Sequence, residues 1–271
     1  GIGESSPAVS GGLVFVGDLA GVVHAVRAAD GKGVWTFKTG SEVKASPVVS
    51  AGKVLVGSYD GVLYALEAQT GKLAWAVKTA GQVHSSASID GGIAFIAGCD
   101  GFLRGVRIAD GKEVITVQTG SYTASSPALA GGRAYFGTQD NEVLAVDLKS
   151  KKIVWRYEHP QRKFPYTSSP AIAAGLVLIG GKDKMVHALD AATGKEKWSY
   201  MTRARVESSP LAAGTVVYVT GADNRIYAFD AASGAKKWEH DAGAAMTASP
   251  AAAHGRLIVA TVDGRVLCFA P

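Results

Sequence analysis

Six histidines are the side chains in this 271-residue sequence that could most readily serve as general bases or metal ligands. They are scattered along the chain, at His24, His84, His159, His187, His240 and His254. His24 and His187 occupy the same position of a repeated pattern, where tyrosines stand in other copies, which favours a packing role. His84 differs, because its equivalents vary in polarity and charge. The histidines therefore predict neither a catalytic base nor a metal site.

Aspartates are more numerous, but their spacing assigns them to turns. One repeat position is occupied by six of them, Asp60, Asp100, Asp140, Asp183, Asp223 and Asp263. Six copies of a preferred turn residue do not form one active site. The sequence also lacks a phosphate loop, a paired-cysteine zinc pattern, a Gly-x-Ser-x-Gly elbow and a His-Glu-x-x-His pair. We predict no catalytic residue, no metal ligand and no enzymatic activity.

A column of variable residues lies two positions before the serines of recurring Ser-Pro pairs. Its members are Glu4, Lys44, His84, Ala124, Thr167, Glu207 and Thr247. We predict that the column starts the innermost strand of each repeat and lines a channel, where its polar members bind a small polar ligand or a peptide. A hydrated channel rim explains the same variation without a ligand.

One insertion interrupts the regular spacing. The segment 161–166 adds three residues and supplies Arg162, Lys163, Phe164 and Tyr166. Aromatic and arginine side chains are enriched among the residues that dominate binding energy in protein interfaces. We predict that these four residues contact a protein or peptide partner, with simple surface variation as the alternative.

An internal repeat predicts the elements that position these residues. Ser-Pro pairs start at Ser6, Ser46, Ser126, Ser169, Ser209 and Ser249, with Ser86 in the remaining place, at spacings of 40, 40, 40, 43, 40 and 40. Each repeat holds four strand-length segments, which in the second repeat are 45–50, 53–58, 62–67 and 73–79. Four antiparallel strands per unit are typical of a propeller blade. We predict an all-β, seven-bladed β-propeller of four-stranded antiparallel blades.

The repeats have predicted boundaries in a single domain. They run at about 1–40, 41–80, 81–120, 121–160, 161–203, 204–243 and 244–271. The last copy ends after its third strand, so we expect its blade to lack the outer strand in this chain. Because a strand from the other terminus often completes the last blade of a propeller, we expect an upstream extension in the natural chain; an eighth blade is the alternative.

Composition and charge limit the classes of partner. The formal net charge is +5, and its cations are dispersed over every repeat, so we predict no nucleic-acid surface. No run approaches the roughly 18 apolar residues of a membrane helix, and we predict no transmembrane segment in this chain. Cys99 and Cys268 fall in distant repeats and are predicted to be buried hydrophobic residues without a disulfide. We expect a monomer.

A segment between the third and fourth strands carries a family resemblance. The fifth repeat reads Ala-x-Asp-x-x-Thr-Gly-Lys-x-x-Trp, from Ala188 to Trp198. Close variants recur in four other repeats, whereas the third has Ile115 in place of the tryptophan. The pattern resembles the PQQ-like (pyrroloquinoline-quinone-like) β-propeller family. The resemblance implies that five tryptophans are structural and dock between neighbouring blades: Trp35, Trp75, Trp155, Trp198 and Trp238.

The resemblance leaves two functions open. Non-catalytic members include a periplasmic lipoprotein that helps to assemble outer-membrane β-barrels and sensor propellers attached to bacterial kinases. They imply a scaffold without a cofactor that binds a protein or ligand on the propeller face, in the periplasm or elsewhere outside the cytoplasm. Catalytic members are quinoprotein dehydrogenases that hold PQQ and Ca²⁺ over the propeller axis. In this alternative Lys44, His84 and Glu207 would hold the cofactor or a metal.

Overall fold

The computed structural model describes residues 5–270, and within them it shows 27 β-strands and no helix. The strands form seven antiparallel sheets, six with four strands and the last with three. These sheets are the blades of a β-propeller, so the predicted all-β, seven-bladed fold and the shorter last blade are confirmed. No helix in the same residues is long and apolar enough to cross a membrane. The chain divides into two compact units, 1–127 and 128–271.

The first unit contains three sheets, each with its strands paired in chain order. The first sheet comprises β1 (Ala8–Ser10), β2 (Leu13–Gly17), β3 (Val22–Arg27) and β4 (Gly33–Lys38). The second comprises β5 (Val48–Ser50), β6 (Lys53–Gly57), β7 (Val62–Glu67) and β8 (Leu73–Lys78). The third comprises β9 (Ser88–Asp90), β10 (Ile93–Ala97), β11 (Phe102–Arg107) and β12 (Glu113–Gln118).

The second unit contains four sheets with the same order. The fourth comprises β13 (Ala128–Ala130), β14 (Arg133–Gly137), β15 (Glu142–Asp147) and β16 (Lys152–Glu158). The fifth comprises β17 (Ala171–Ala173), β18 (Leu176–Gly180), β19 (Met185–Asp190) and β20 (Glu196–Met201). The sixth comprises β21 (Leu211–Ala213), β22 (Val216–Thr220), β23 (Arg225–Asp230) and β24 (Lys236–Asp241). The seventh comprises β25 (Ala251–Ala253), β26 (Arg256–Ala260) and β27 (Val266–Phe269).

Tight turns set the strand boundaries. Between β5 and β6, Ala51 and Gly52 have φ values of 49° and 72°, as a two-residue turn of the type that matches strand twist requires. Ser50 pairs with Lys53 across this turn. The first strand of the sheet begins at Val48 and has three residues, so it is shorter than the predicted segment 45–50.

Serine side chains hold the residues that precede the first strands. The Ser6 N–H donates to Ser46 Oγ at 2.9 Å, and the Ser46 N–H donates to Ser86 Oγ at 2.9 Å. In the second unit, the Ser169 N–H donates to Ser209 Oγ at 3.0 Å. Each bond joins residues 40 apart, in consecutive repeats. The recurring serine therefore links these sheets to their neighbours within each unit.

The core of each unit lies between adjacent sheets. In the first unit, Phe15 of the first sheet and Leu66 of the second are fully buried in one cluster. In the second unit, Leu178 of the fifth sheet and Phe229 of the sixth are fully buried in another. Burial of these apolar faces supplies the main driving force for stacking the sheets.

Tryptophans of fourth strands contact the next sheet within each unit. The Trp35 indole N–H donates to the Ala68 carbonyl at 2.9 Å, and a Cβ at Gly71 would lie 2.6 Å from the Trp35 ring. Gly71 has a φ of 70°, so both the space and the backbone conformation require glycine there. Equivalent bonds join Trp75 to Ile108 at 2.8 Å, Trp155 to Ala191 at 3.1 Å and Trp198 to Ala231 at 3.0 Å. Trp238 is 37% exposed and packs on Phe269.

The two cysteines are free, but they are not both buried as predicted. Cys268 is exposed on β27, because this strand has no fourth strand beside it in the three-stranded last sheet. Cys99 is half-buried, and burial raises the pKa of its thiol.

Candidate functional site

The variable column lies in loops, four residues before the first strands, and not at the strand starts as predicted. In the first unit, Lys44 Nζ lies 4.8 Å from the centre of the Tyr59 ring, and the Tyr59 hydroxyl is hydrogen-bonded to His84 Nδ1. Tyr59 therefore joins two members of the column into one polar cluster. Glu4 lies outside the described residues, and Ala124 brings no polar group.

In the second unit the charged member of the column is Glu207. Its carboxylate lies 2.6 Å from Arg205 Nε and 3.7 Å from Lys182 Nζ. Thr167 is half-buried and Thr247 is exposed. Glu207 is thus an anion between two cations. That the column binds a ligand stays a prediction.

The inserted segment 161–166 leads from the fourth sheet into the fifth and is held at several points. The Arg162 guanidinium donates to the Asp183 carbonyl at 3.1 Å, and the Arg162 N–H donates to His159 Nδ1 at 3.1 Å. Lys163 Nζ lies 3.4 Å from Glu158 Oε1. These contacts hold the backbone of the loop while leaving part of its surface accessible.

Two aromatic residues of the loop have opposite environments. Phe164 is 48% exposed, whereas Tyr166 is only 1% exposed and cannot be the surface contact predicted for it. The Tyr166 N–H donates to the Thr138 carbonyl at 3.0 Å. The position three residues before the serine is also buried in five other repeats, where it holds Val43, Val83, Thr123, Val206 and Met246. That shared spacing was the sequence signal for burial.

Beneath the loop, His187 lies between two carboxylates. Its Nε2 is hydrogen-bonded to Asp183 Oδ2 at 2.8 Å, and its Nδ1 is hydrogen-bonded to Glu196 Oε2 at 2.9 Å. The His187 side chain is 0% exposed. Burial alone lowers the pKa of His187, but the hydrogen bonds to Asp183 and Glu196 outweigh burial and raise it above its usual value. The same bond from His187 holds the pKa of Glu196 at about 2.

Two tyrosines and a second histidine surround this imidazole. The Tyr157 hydroxyl donates to Glu196 Oε2 at 2.5 Å, and burial raises the pKa of Tyr157. The Tyr166 ring meets His187 edge-on, with centres 5.4 Å apart, and the His159 ring lies 5.7 Å from it. The Tyr166 hydroxyl is buried without a hydrogen-bond partner among the described residues. Its burial raises the pKa of Tyr166 as well.

The packing interpretation of His187 missed its hydrogen bonds, although the repeat contains a signal for them. An aspartate of the preceding turn bonds the side chain four residues later in several sheets. The pairs are Asp60 with Tyr64 at 2.7 Å, Asp100 with Arg104 at 2.9 Å, Asp183 with His187 at 2.8 Å and Asp223 with Tyr227 at 2.7 Å. The aspartates also accept backbone N–H groups, as the turn interpretation requires; Val62 N lies 3.0 Å from Asp60 Oδ1.

No group of three or more His, Cys, Asp or Glu residues among 5–270 is arranged to hold a metal ion. The cluster of His187, Asp183 and Glu196 is likewise not arranged to bind a metal ion. The two ring nitrogens of His187 each face a different carboxylate, so the three groups form a hydrogen-bonded bridge and do not converge on one point.

Comparisons with known proteins agree with the fold. A family model described as outer membrane protein assembly factor BamB matches residues 2–121, 83–181 and 152–271. The crystal structure of BamB from Moraxella catarrhalis matches with a TM-score of 0.84 and 19% identity, over 98% of this chain and 82% of that chain. The computationally designed protein Ika8 matches with a TM-score of 0.85 and 19% identity, over 98% and 83%. At this identity, both structures show a shared fold alone. No curated protein matches the sequence.

Proposed function

We propose that this chain, which belongs to the family described as outer membrane protein assembly factor BamB, is a non-catalytic scaffold that binds a protein partner. The family description refers to assembly at the outer membrane, which supports a periplasmic or other extracytoplasmic location. The contact surface that we propose includes the inserted loop, as its composition predicts, but with Tyr166 as a buried support.

The exposed Phe164 ring is the observation that carries this proposal. Nearly half of its surface is open to solvent, on a loop that follows β16. An exposed aromatic ring is costly to leave in water and gains most by entering a pocket on a partner. Phe164 is therefore the proposed anchor of the interface.

Anchoring of the loop on both sides of Phe164 strengthens this assignment. Before it, Arg162 is bonded to the Asp183 carbonyl; after it, the Lys182 N–H donates to the Pro165 carbonyl at 3.3 Å. Tyr166 then enters the core. Because the loop is already ordered, a partner does not have to offset the entropy of ordering it.

Site-specific photo-cross-linking tests the proposal. Benzoylphenylalanine replaces Phe164 in the full chain, and the protein is irradiated in a periplasmic extract of the native host. The matched control places the same probe at Leu73, which is 51% exposed on β8. We expect one discrete adduct from position 164 and none from position 73.

Competition shows whether the adduct depends on the phenylalanine. Unlabelled protein should suppress the adduct, while Phe164→Ala should not. Equal labelling from both positions, or equal competition by both proteins, would reject Phe164 as the anchor.

The alternative function, a PQQ-binding quinoprotein dehydrogenase, has no specific observation in its favour. Lys44 and His84 are joined through Tyr59, and Glu207 is paired with Arg205 and Lys182, so the residues expected to hold the cofactor already have partners within their own units. Calorimetric titration of PQQ with Ca²⁺ into wild type and Lys44→Ala, His84→Ala tests this alternative. Micromolar binding that the double variant loses would support it.

A further inference from the structure

We propose that the surface around Phe164 selects an acidic polypeptide segment, through six cations that lie in the inserted loop and in the two loops beside it. This basic patch is defined by Arg162, Lys163, Lys182, Lys184, Arg203 and Arg205. The inference rests on the proposed function and adds the chemistry of the partner.

Three hydrogen-bonded loops of the second unit bring the patch together. The inserted loop 161–166 meets the turn 181–184 where the Lys182 N–H donates to the Pro165 carbonyl at 3.3 Å. The same turn meets the loop 202–207 through the Val206 N–H, which donates to Gly181 O at 3.0 Å. A second bond, from the Thr202 N–H to the Lys184 carbonyl, measures 2.8 Å. These six cations are far apart in the sequence but lie on neighbouring loops. Their dispersion over the repeats did not indicate this cluster.

Carboxylates near the patch neutralise only part of its charge. Glu158 pairs with Lys163, and Glu207 pairs with Lys182 and Arg205. Asp223 accepts the Arg203 backbone N–H at 2.9 Å and is also bonded to the Tyr227 hydroxyl. Asp183 lies in the turn 181–184 as well, with its carboxylate hydrogen-bonded to His187. Six cations against these four carboxylates leave a net charge of +2 on the patch.

Two cations of the patch are available to a partner. Lys184 and Arg203 are both exposed, and neither side chain has a carboxylate partner among residues 5–270. Arg205 is 60% exposed and Lys163 67% exposed despite their ion pairs. Such exposed pairs are weak in water, so a carboxylate of the partner can replace them at little cost.

The mixture of charges favours a polypeptide over a phosphate polymer. Glu158 and Glu207 lie among the cations and would repel an unbroken run of phosphates. An acidic peptide can instead place a carboxylate beside Lys184 and Arg203 and direct its hydrogen-bond donors toward the two glutamates. Its apolar residue would cover Phe164, which a nucleic-acid backbone cannot do.

Fluorescence anisotropy with a defined probe tests this selectivity. The probe is a fluorescein-labelled twelve-residue peptide in which Asp and Glu alternate with Ser and Gln around one central Phe. The test variant is Lys184→Glu, Arg203→Glu, Arg205→Glu in the full chain. The control is Lys32→Glu, Lys72→Glu, Lys112→Glu, at exposed lysines of the first unit, which changes the net charge equally. Thermal unfolding verifies that each variant is folded.

We expect the patch variant to weaken binding by roughly tenfold or more, and the control by less than about twofold. Affinity of the wild type should fall as salt rises, since exposed charges are screened beyond about 10 Å at 0.1 M. Equal weakening in the two variants, or no binding by the wild type, would overturn the proposal. Tighter binding of a twelve-nucleotide oligothymidylate than of the peptide would also overturn it.

Failure here is distinguishable from failure of the proposed function. If the charge reversals leave peptide binding unchanged but position 164 still cross-links one protein, the loop binds a partner that is not selected by acidity. If neither experiment gives a signal, the loop is not a partner surface and both proposals fail.

Discussion

The His187 imidazole and the Asp183 carboxylate are hydrogen-bonded across 2.8 Å, and both side chains are almost completely buried. Asp183 lies in the turn before β19, and His187 lies within that strand. The pair therefore fastens the turn to the strand directly beneath the inserted loop. Removal of either partner would leave the other polar group buried without compensation, which is more costly than the loss of an exposed ion pair.

We predict a stability maximum in mildly acidic solution because of this cluster. The pKa of His187 is raised above 6.5, so its contribution is fully present below pH 6.5 and is lost as pH rises through the folded-state pKa. The pKa of Glu196 falls from 4.5 to about 2, so its contribution is present above pH 4.5 and is lost as pH falls toward 2. Urea titrations across the pH range should show the highest free energy of unfolding between these values.

His187→Gln provides the control for the pH dependence. The amide cannot titrate, so the decline of stability above pH 6.5 should be smaller than in the wild type. If wild type and variant lose stability in parallel above that pH, His187 does not cause the decline.

Trp198→Ala should reduce the free energy of unfolding by about 3 to 5 kcal/mol. The substitution removes the ring that packs on Phe229, with centres 5.9 Å apart, and the indole N–H bonded to Ala231 O. Trp238→Ala is the matched comparison, since Trp238 is 37% exposed, and we expect a loss of about 1 to 2 kcal/mol. Denaturant titration measures both, and equal losses would contradict the assigned docking role.

Tyr166→Phe should preserve or increase stability, by up to about 1 kcal/mol. The Tyr166 hydroxyl is buried with no hydrogen-bond partner among residues 5–270, and an unsatisfied buried hydroxyl is unfavourable. The ring and its contact with His187 remain. Denaturant titration of the variant checks this expectation; a loss of more than about 1 kcal/mol would mean that the hydroxyl has a stabilising partner such as an ordered water.

The repeat predicts the fold well because its signals are local. Ser-Pro spacing near 40 and paired glycine turns determine the number of blades and the four strands in each complete one. The serines also have a structural reason to recur, since Ser46 and Ser86 accept backbone N–H groups 40 residues away. The exposure of Cys268 also follows from the repeat, because the predicted absence of a fourth strand leaves β27 uncovered; the expectation of a buried Cys268 did not take that into account.

The candidate site was predicted less completely because it depends on pairing between segments. Glu196 reaches His187 across the β19–β20 hairpin, where the register shifts between Ala188 and Leu189. The same shift recurs at the equivalent position of the five other four-stranded sheets, so it belongs to the repeat. The glutamate does not recur in the same way, since Gly33, Leu73 and Lys236 take its place in three of those sheets. The basic patch similarly requires three loops that only the stacked sheets bring together. Tyr166 was predictable, because it keeps the position of a buried valine in other repeats.

The affinity of the cross-linked partner tests the protein-binding function most directly. Calorimetry of the purified partner with the wild type, Phe164→Ala and the exposed control Leu73→Ala separates the anchor from general surface apolarity. We expect Phe164→Ala to weaken binding by about tenfold or more and Leu73→Ala to leave it unchanged. Unchanged affinity in Phe164→Ala would contradict the proposed interface.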